Sequence, residues 1–250
     1  MKRAFIVSLL LFLAIHDCSS QRLNYGYVRK RKVDSYRQIM DLKNGFLLVM
    51  LHGNQNKIDA LHSLGKHAEA ENAKKQQDEK NKKIMNAFHA QFNFCPVYFF
   101  MNTQALDLVD KGINAITFVD KELKQDTSIK PGAEKFLVAE FGNLQMDTTK
   151  YFAGYRLSTT DTGSWQKPTY YSTSTFLYDA FIIESPQLIQ LKKPFPYFVM
   201  TTESDKKVNS YESVIEKVNQ RLHAFFMKAN EKILLKRFNP YFNSNEGRAD

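Results

Sequence analysis

The sequence predicts an α/β fold: a single domain with a mixed β-sheet and flanking helices, one long charged helical crossover and a long amphipathic C-terminal helix. Three observations carry this. Two continuous apolar runs, Phe46-Leu47-Leu48-Val49-Met50-Leu51 and Val97-Tyr98-Phe99-Phe100-Met101, read as strands buried on both faces. The stretch from Asn56 to Phe94 between them has no proline and reads as helix, giving strand, helical crossover, strand. From Val208 onward, Tyr211, Ile215, Val218, Leu222, Phe225, Ala229 and Ile233 fall three or four residues apart, one apolar stripe along a helix.

The remaining elements follow in order. A short helix is expected over Asp34 to Leu42, after a basic run at Arg29 to Lys32. Gly45 opens the first strand and His52-Gly53-Asn54 closes it. Gly65 is a plausible break in the crossover. Its second half is charged from Glu69 to Lys83, then apolar at Ile84, Met85, Ala87, Phe88 and Phe92, so its polar middle should face water while its last turns dock. Ile113 to Val119 reads as a third strand, and Phe136 to Phe141 as a fourth, after the turn Lys130-Pro131-Gly132. Gly154 to Pro168 is loop or hairpin, Tyr170 to Glu184 is strand or hairpin, and Pro194-Phe195-Pro196 leads into a strand at Tyr197 to Thr202. Asn239-Pro240 ends the last helix. Tyr211 and Phe225 in its stripe suit packing on a sheet better than a coiled-coil seam. Gly65, Ala68 and Ala70 have no second copy at a fixed period, which argues against a solenoid.

Composition is that of an ordinary globular chain: 250 residues, 43% hydrophobic and 24% charged, with a formal charge of +9. That excludes collagen, low-complexity disorder and a multi-pass membrane protein. Residues 1–20 read as a signal peptide. Lys2 and Arg3 precede an apolar run from Ala4 to Ile15, too short to span a bilayer, and Ser20 and Cys18 are the small residues that signal peptidase needs at −1 and −3. The alternative is a lipoprotein cut before Cys18, which Asp17 at −1 disfavours. Cleavage after Ser20 takes the charge from +9 to +8 and leaves Cys95 as the one thiol. The expected layout is therefore signal peptide 1–20, one α/β domain over 21–242 and a loose tail over 243–250. Location is periplasmic or secreted, with a protein or polymer partner in the envelope, no transmembrane segment and no nucleic acid. Cys95, within Phe92-Asn93-Phe94-Cys95-Pro96, is read as buried and inert.

The stretch Phe94-Cys95-Pro96-Val97-Tyr98-Phe99-Phe100, the earlier Leu47-Leu48-Val49 and the N-terminal Asn24-Tyr25-Gly26-Tyr27-Val28-Arg29-Lys30-Arg31-Lys32 together resemble uncharacterised exported proteins of Bacteroidota. The resemblance implies export and a domain that spans the mature chain. It implies no activity.

Catalytic motifs are sparse. Asp161-Thr162-Gly163-Ser164 matches the aspartic-protease signature, but its flanks are polar turn residues and the chain holds no second Asp-Thr-Gly. There is no His-Glu-x-x-His, nucleophile elbow or phosphate-binding glycine loop. His62 and His67 are five apart, one off the spacing that shares a helix face. Trp165, Tyr170 and Tyr171 could stack on a sugar or peptide, although strand packing explains them as well. No cofactor and no metal site is expected. His52 follows the first strand, where open α/β sheets bind ligands. An enzyme site at strand ends would draw on His52, Asp120, Glu140 and Asp161. A non-catalytic binding or interaction domain is the preferred reading over such a hydrolase- or transferase-like enzyme and over a structural component of the envelope.

Overall fold

In the computed structural model, which describes residues 30–132, 134–144, 178–201 and 209–238, the run Phe46–Leu51 is strand β1 and all six residues are buried. The other elements are α1 (residues 30–43), α2 (Gln55–Ser63), α3 (His67–Gln91), β2 (Val97–Met101), α4 (Ala105–Lys111), β3 (Phe118–Val119) and β4 (Gln125–Asp126). Then come β5 (Phe136–Leu144), β6 (Tyr178–Glu184), β7 (Phe198–Met200) and α5 (Tyr211–Phe238).

Among the described residues five strands form one sheet in the order β2-β1-β5-β6-β7. β1 is an interior strand parallel to both neighbours, with Leu47 opposite Val97 on one side and Met50 opposite Glu140 on the other. β6 runs antiparallel to β5 and to β7, so the sheet is mixed. Helices cover both faces, which is why β1 has no polar residue. Leu47, Val49 and Leu51 meet Ile39 and Leu42 of α1, Phe88 and its neighbours in α3, and Val214, Ile215, Val218 and Leu222 of α5. Phe46, Leu48 and Met50 meet Phe100, Val138 and the thinner layer from α4 and β3, Ala105, Leu108 and Phe118. Each large side chain withdrawn from water in this way stabilises the fold by about 1.5–3 kcal/mol.

The crossover breaks where glycine lets it. Gly65 takes φ 69° and the Lys66 and Gly65 amides donate to the Leu61 and His62 carbonyls, which ends α2 in a Schellman motif. α5 begins at Tyr211, three residues later than Val208, because the Ser210 hydroxyl oxygen accepts the Ser213 amide hydrogen as a cap. On the edge strand, the Arg221 guanidinium donates to the outward-facing Phe198 carbonyl at 2.9 Å and so blunts further pairing.

Two expectations need correction. Ile113 to Val119 is not a strand of the sheet. Ile113–Ala115 is a 3-10 turn after Gly112, and only Phe118–Val119 is extended, pairing with Gln125–Asp126 in a separate hairpin. The apolar residues Ile116, Phe118 and Val119 are buried by packing without pairing into the sheet, the first two in the cluster of Phe46, Leu48 and Met50 and Val119 in that of Leu47 and Val49, which the pattern alone does not separate from pairing. The polar middle of α3 is not all in water either, since Gln77 and Asn81 are buried. Smaller differences are the longer β5, which runs on to Leu144, and a three-residue β7. The leader, the tail, Gly154 to Pro168 and the first part of Tyr170 to Glu184 lie outside the described residues.

Candidate functional site

The chain leaves β1 toward β2 on one side, whereas β5 lies on the other side of β1 and continues to β6 beyond it. β1 and β5 therefore flank the point where the strand order departs to either side, and open α/β sheets leave a crevice for ligands beyond the carboxyl ends of such strands. His52 is the residue after β1. Glu140 is the fifth residue of β5, opposite Met50, and strand alternation sets it on the face of Phe46, Leu48 and Met50.

Of the four residues expected at strand ends, these two come together, although Glu140 is mid-strand and not terminal, because β5 runs on four residues beyond it to Leu144 in its pairing with β6. His52 Nε2 lies 3.3 Å from Glu140 Oε2, with the histidine side chain 38% exposed and the glutamate 4%. The contact is close but falls short of an aligned hydrogen bond, and Nε2 is the buried edge of the ring. Glu140 is held over Gly142, where a β-carbon would stand 2.7 Å from Oε1. Asp120 has a different task. It sits in the β3–β4 turn, where its Oδ1 accepts from the Glu122 and Lys124 amides at 2.9 and 2.8 Å, the self-capping that aspartate performs in tight turns. Asp161 lies outside the described residues, as do Trp165, Tyr170 and Tyr171.

Four amide side chains missed by the sequence reading fix the His52 loop. Asn81 Nδ2 donates to the His52 carbonyl at 2.8 Å, and Gln77 Nε2 donates to Asn81 Oδ1 at 3.1 Å. Asn54, in the left-handed region at φ 51°, donates to Gln77 Oε1 at 2.6 Å. From the end of β2, Asn102 Oδ1 accepts the Gly53 amide hydrogen at 3.0 Å. Each such bond contributes about 0.5–1.5 kcal/mol net, and stranding a buried partner costs about 1–3 kcal/mol. Gln77 and Asn81 are four apart on α3, so one helix face presents both. That spacing was the available signal, masked by the many polar residues around it.

Cys95 precedes β2 and is half-buried. Burial pushes its thiol up to about 12, against the opposing pull of the Leu47 backbone and the Lys43 charge. A neutral thiol is a poor nucleophile. In a Cys18→Ser background, Cys95 in the folded chain should react with a disulfide reagent at pH 8 at least about a hundredfold more slowly than in denaturant. Equal rates would show an activated thiol.

Among the described residues no helix is long and apolar enough to cross a membrane, and no group of three or more His, Cys, Asp and Glu side chains converges as a cation site. Comparison of the chain with family models, with curated proteins and with solved structures finds no match.

Proposed function

We propose that the chain is an exported α/β domain that binds a small hydroxyl-bearing ligand, free or as part of an envelope polymer, at the carboxyl ends of β1 and β5. The observation that carries this is the His52–Glu140 pair at the point where the strand order departs to either side of β1 and β5. A neutral imidazole whose Nε2–H faces a buried carboxylate turns Nδ1 outward as an acceptor, which suits a hydroxyl donor. The amide clamp on residues 52–54 keeps that nitrogen in place before a ligand arrives, which lowers the ordering cost of binding. Export rests on Lys2, Arg3, the Ala4 to Ile15 run and the small residues at Cys18 and Ser20.

A second reading is favoured by the ring orientation. An imidazole with one nitrogen beside a buried carboxylate is also the starting arrangement of a general base, whose hydrogen bond tightens when substrate binds. One preparation tests both. The full chain is expressed in a secreting bacterial host, its mass is measured, and simple sugars and polyols are titrated while amide signals are followed by NMR. The expected result is a chain beginning at Gln21, with shifts at His52 and Gly53 that vanish in His52→Ala. A chain retaining its leader overturns export, and shifts confined to other surfaces overturn the site. Conversion of a bound ligand, lost in His52→Ala, would replace the binding reading with the catalytic one.

A further inference from the structure

His62 and His67 lie at the corner between α2 and α3. Their five-residue spacing denies them a shared face only if a single helix runs through both, and it does not. The Schellman motif at Gly65 ends α2 directly after His62 and Ser63, and α3 starts at His67. The reversal brings the two rings together, with Nδ1 of one 3.0 Å from Nδ1 of the other and ring centroids 5.3 Å apart. Both residues are exposed.

The separation of the two nitrogens matches that of a bidentate chelate. Two imidazole nitrogens bound to one cation at about 2.0–2.1 Å stand about 2.9 Å apart at a right angle and about 3.3 Å apart at the tetrahedral angle. The observed 3.0 Å lies inside that range. The alternative, one proton shared between two neutral rings, needs opposite tautomers on the two histidines, whereas a cation uses both lone pairs at once. Lys66, the residue before His67, is already engaged, since its Nζ pairs with Glu69 Oε1 and Oε2 at 3.1 and 3.2 Å. The backbone between the rings is fixed by its own hydrogen bonds, so little chain entropy is lost when a metal closes the chelate.

We propose that His62 and His67 form a surface site for a divalent transition cation of borderline softness, zinc or copper in class, with water completing its coordination. Imidazole suits these ions better than magnesium or calcium, which prefer oxygen. Calorimetric titration with zinc, in a Cys18→Ser background that removes a competing thiolate, should show a saturable site. His62→Ala and His67→Ala should each weaken it at least about tenfold, because one remaining nitrogen loses the chelate advantage. His89→Ala should match the parent. The copper adduct gives a second readout, since its paramagnetic resonance spectrum should show two equatorial nitrogens in the parent and fewer in either variant. Both histidines are exposed, so unchanged melting curves for the variants are expected and confirm that they fold. Zinc affinity unaltered in His67→Ala, or no saturable binding in the parent, overturns the proposal and leaves a hydrogen-bonded histidine pair.

Discussion

Gly45→Ala should lower the unfolding free energy by about 3 kcal/mol, at the upper end of overpacking costs, and should loosen the strand pair that carries the candidate site. Gly45 immediately precedes β1, as Lys135 precedes β5. A β-carbon at Gly45 would fall inside the contact distance of the Lys135 carbonyl oxygen and stand 2.9 Å from the Asp41 carbonyl oxygen. Both obstacles are backbone, so no side-chain rotation relieves them. The same Lys135 carbonyl accepts the Phe46 amide hydrogen at 3.2 Å, the first rung that sets Phe46 opposite Phe136. That register is what brings the end of β1 beside the middle of β5, and hence His52 beside Glu140. Urea unfolding of Gly45→Ala against Gly132→Ala tests the point. Gly132 has open space at its β-carbon position, so its variant should stay within about 0.5 kcal/mol of the parent. Equal midpoints for the two variants would mean that β1 and β5 tolerate separation.

Much of this fold could be read directly from side-chain pattern. β1 and β2 match their apolar runs residue for residue, because strands covered on both faces leave no polar position to blur their ends. The α5 stripe packs as expected at Ile215, Val218, Leu222 and Ala229, because one helical face meets one sheet. The errors arose where burial and hydrogen bonding part company. Ile116, Phe118 and Val119 are as apolar as a sheet strand but are buried by side-chain packing, with no backbone pairing to the sheet. Gln77 and Asn81 are as polar as their exposed neighbours but are buried by serving the His52 loop. A polar side chain buried for its hydrogen bonds leaves no hydrophobic trace in the sequence. The candidate site was half legible for the same reason. His52 could be placed by the rule that strand ends carry function, whereas the full length of β5 that makes Glu140 mid-strand, the register that pairs the two, and the turn that occupies Asp120 are properties of three-dimensional neighbours.

Gly142→Ala should weaken ligand binding at the β1–β5 crevice by at least about tenfold, equivalent to about 1.4 kcal/mol, while leaving the fold nearly as stable as the parent. The added methyl group would compete for the space that Glu140 Oε1 occupies 2.7 Å away. Its neighbour is the end of a side chain and not backbone, so the carboxylate can swing away where the Gly45 obstacles cannot. The move would separate Glu140 Oε2 from His52 Nε2 and release the ring. Alanine in a strand interior also removes the entropic penalty of glycine, an opposing gain of about 0.5–1 kcal/mol. Stability and function should therefore part in this variant. Glu140→Gln gives the complementary case, since it keeps the shape of the side chain, removes its charge and relieves the cost of burying a carboxylate. Nitrogen-15 spectra of the His52 ring read both variants without a known ligand. In the parent, neutral His52 should carry its proton on Nε2, facing Glu140, and both variants should shift that population toward the Nδ1–H form. An unchanged tautomer in Glu140→Gln and Gly142→Ala would mean that Glu140 does not orient the ring. The site would then reduce to an exposed histidine beside a buried acid.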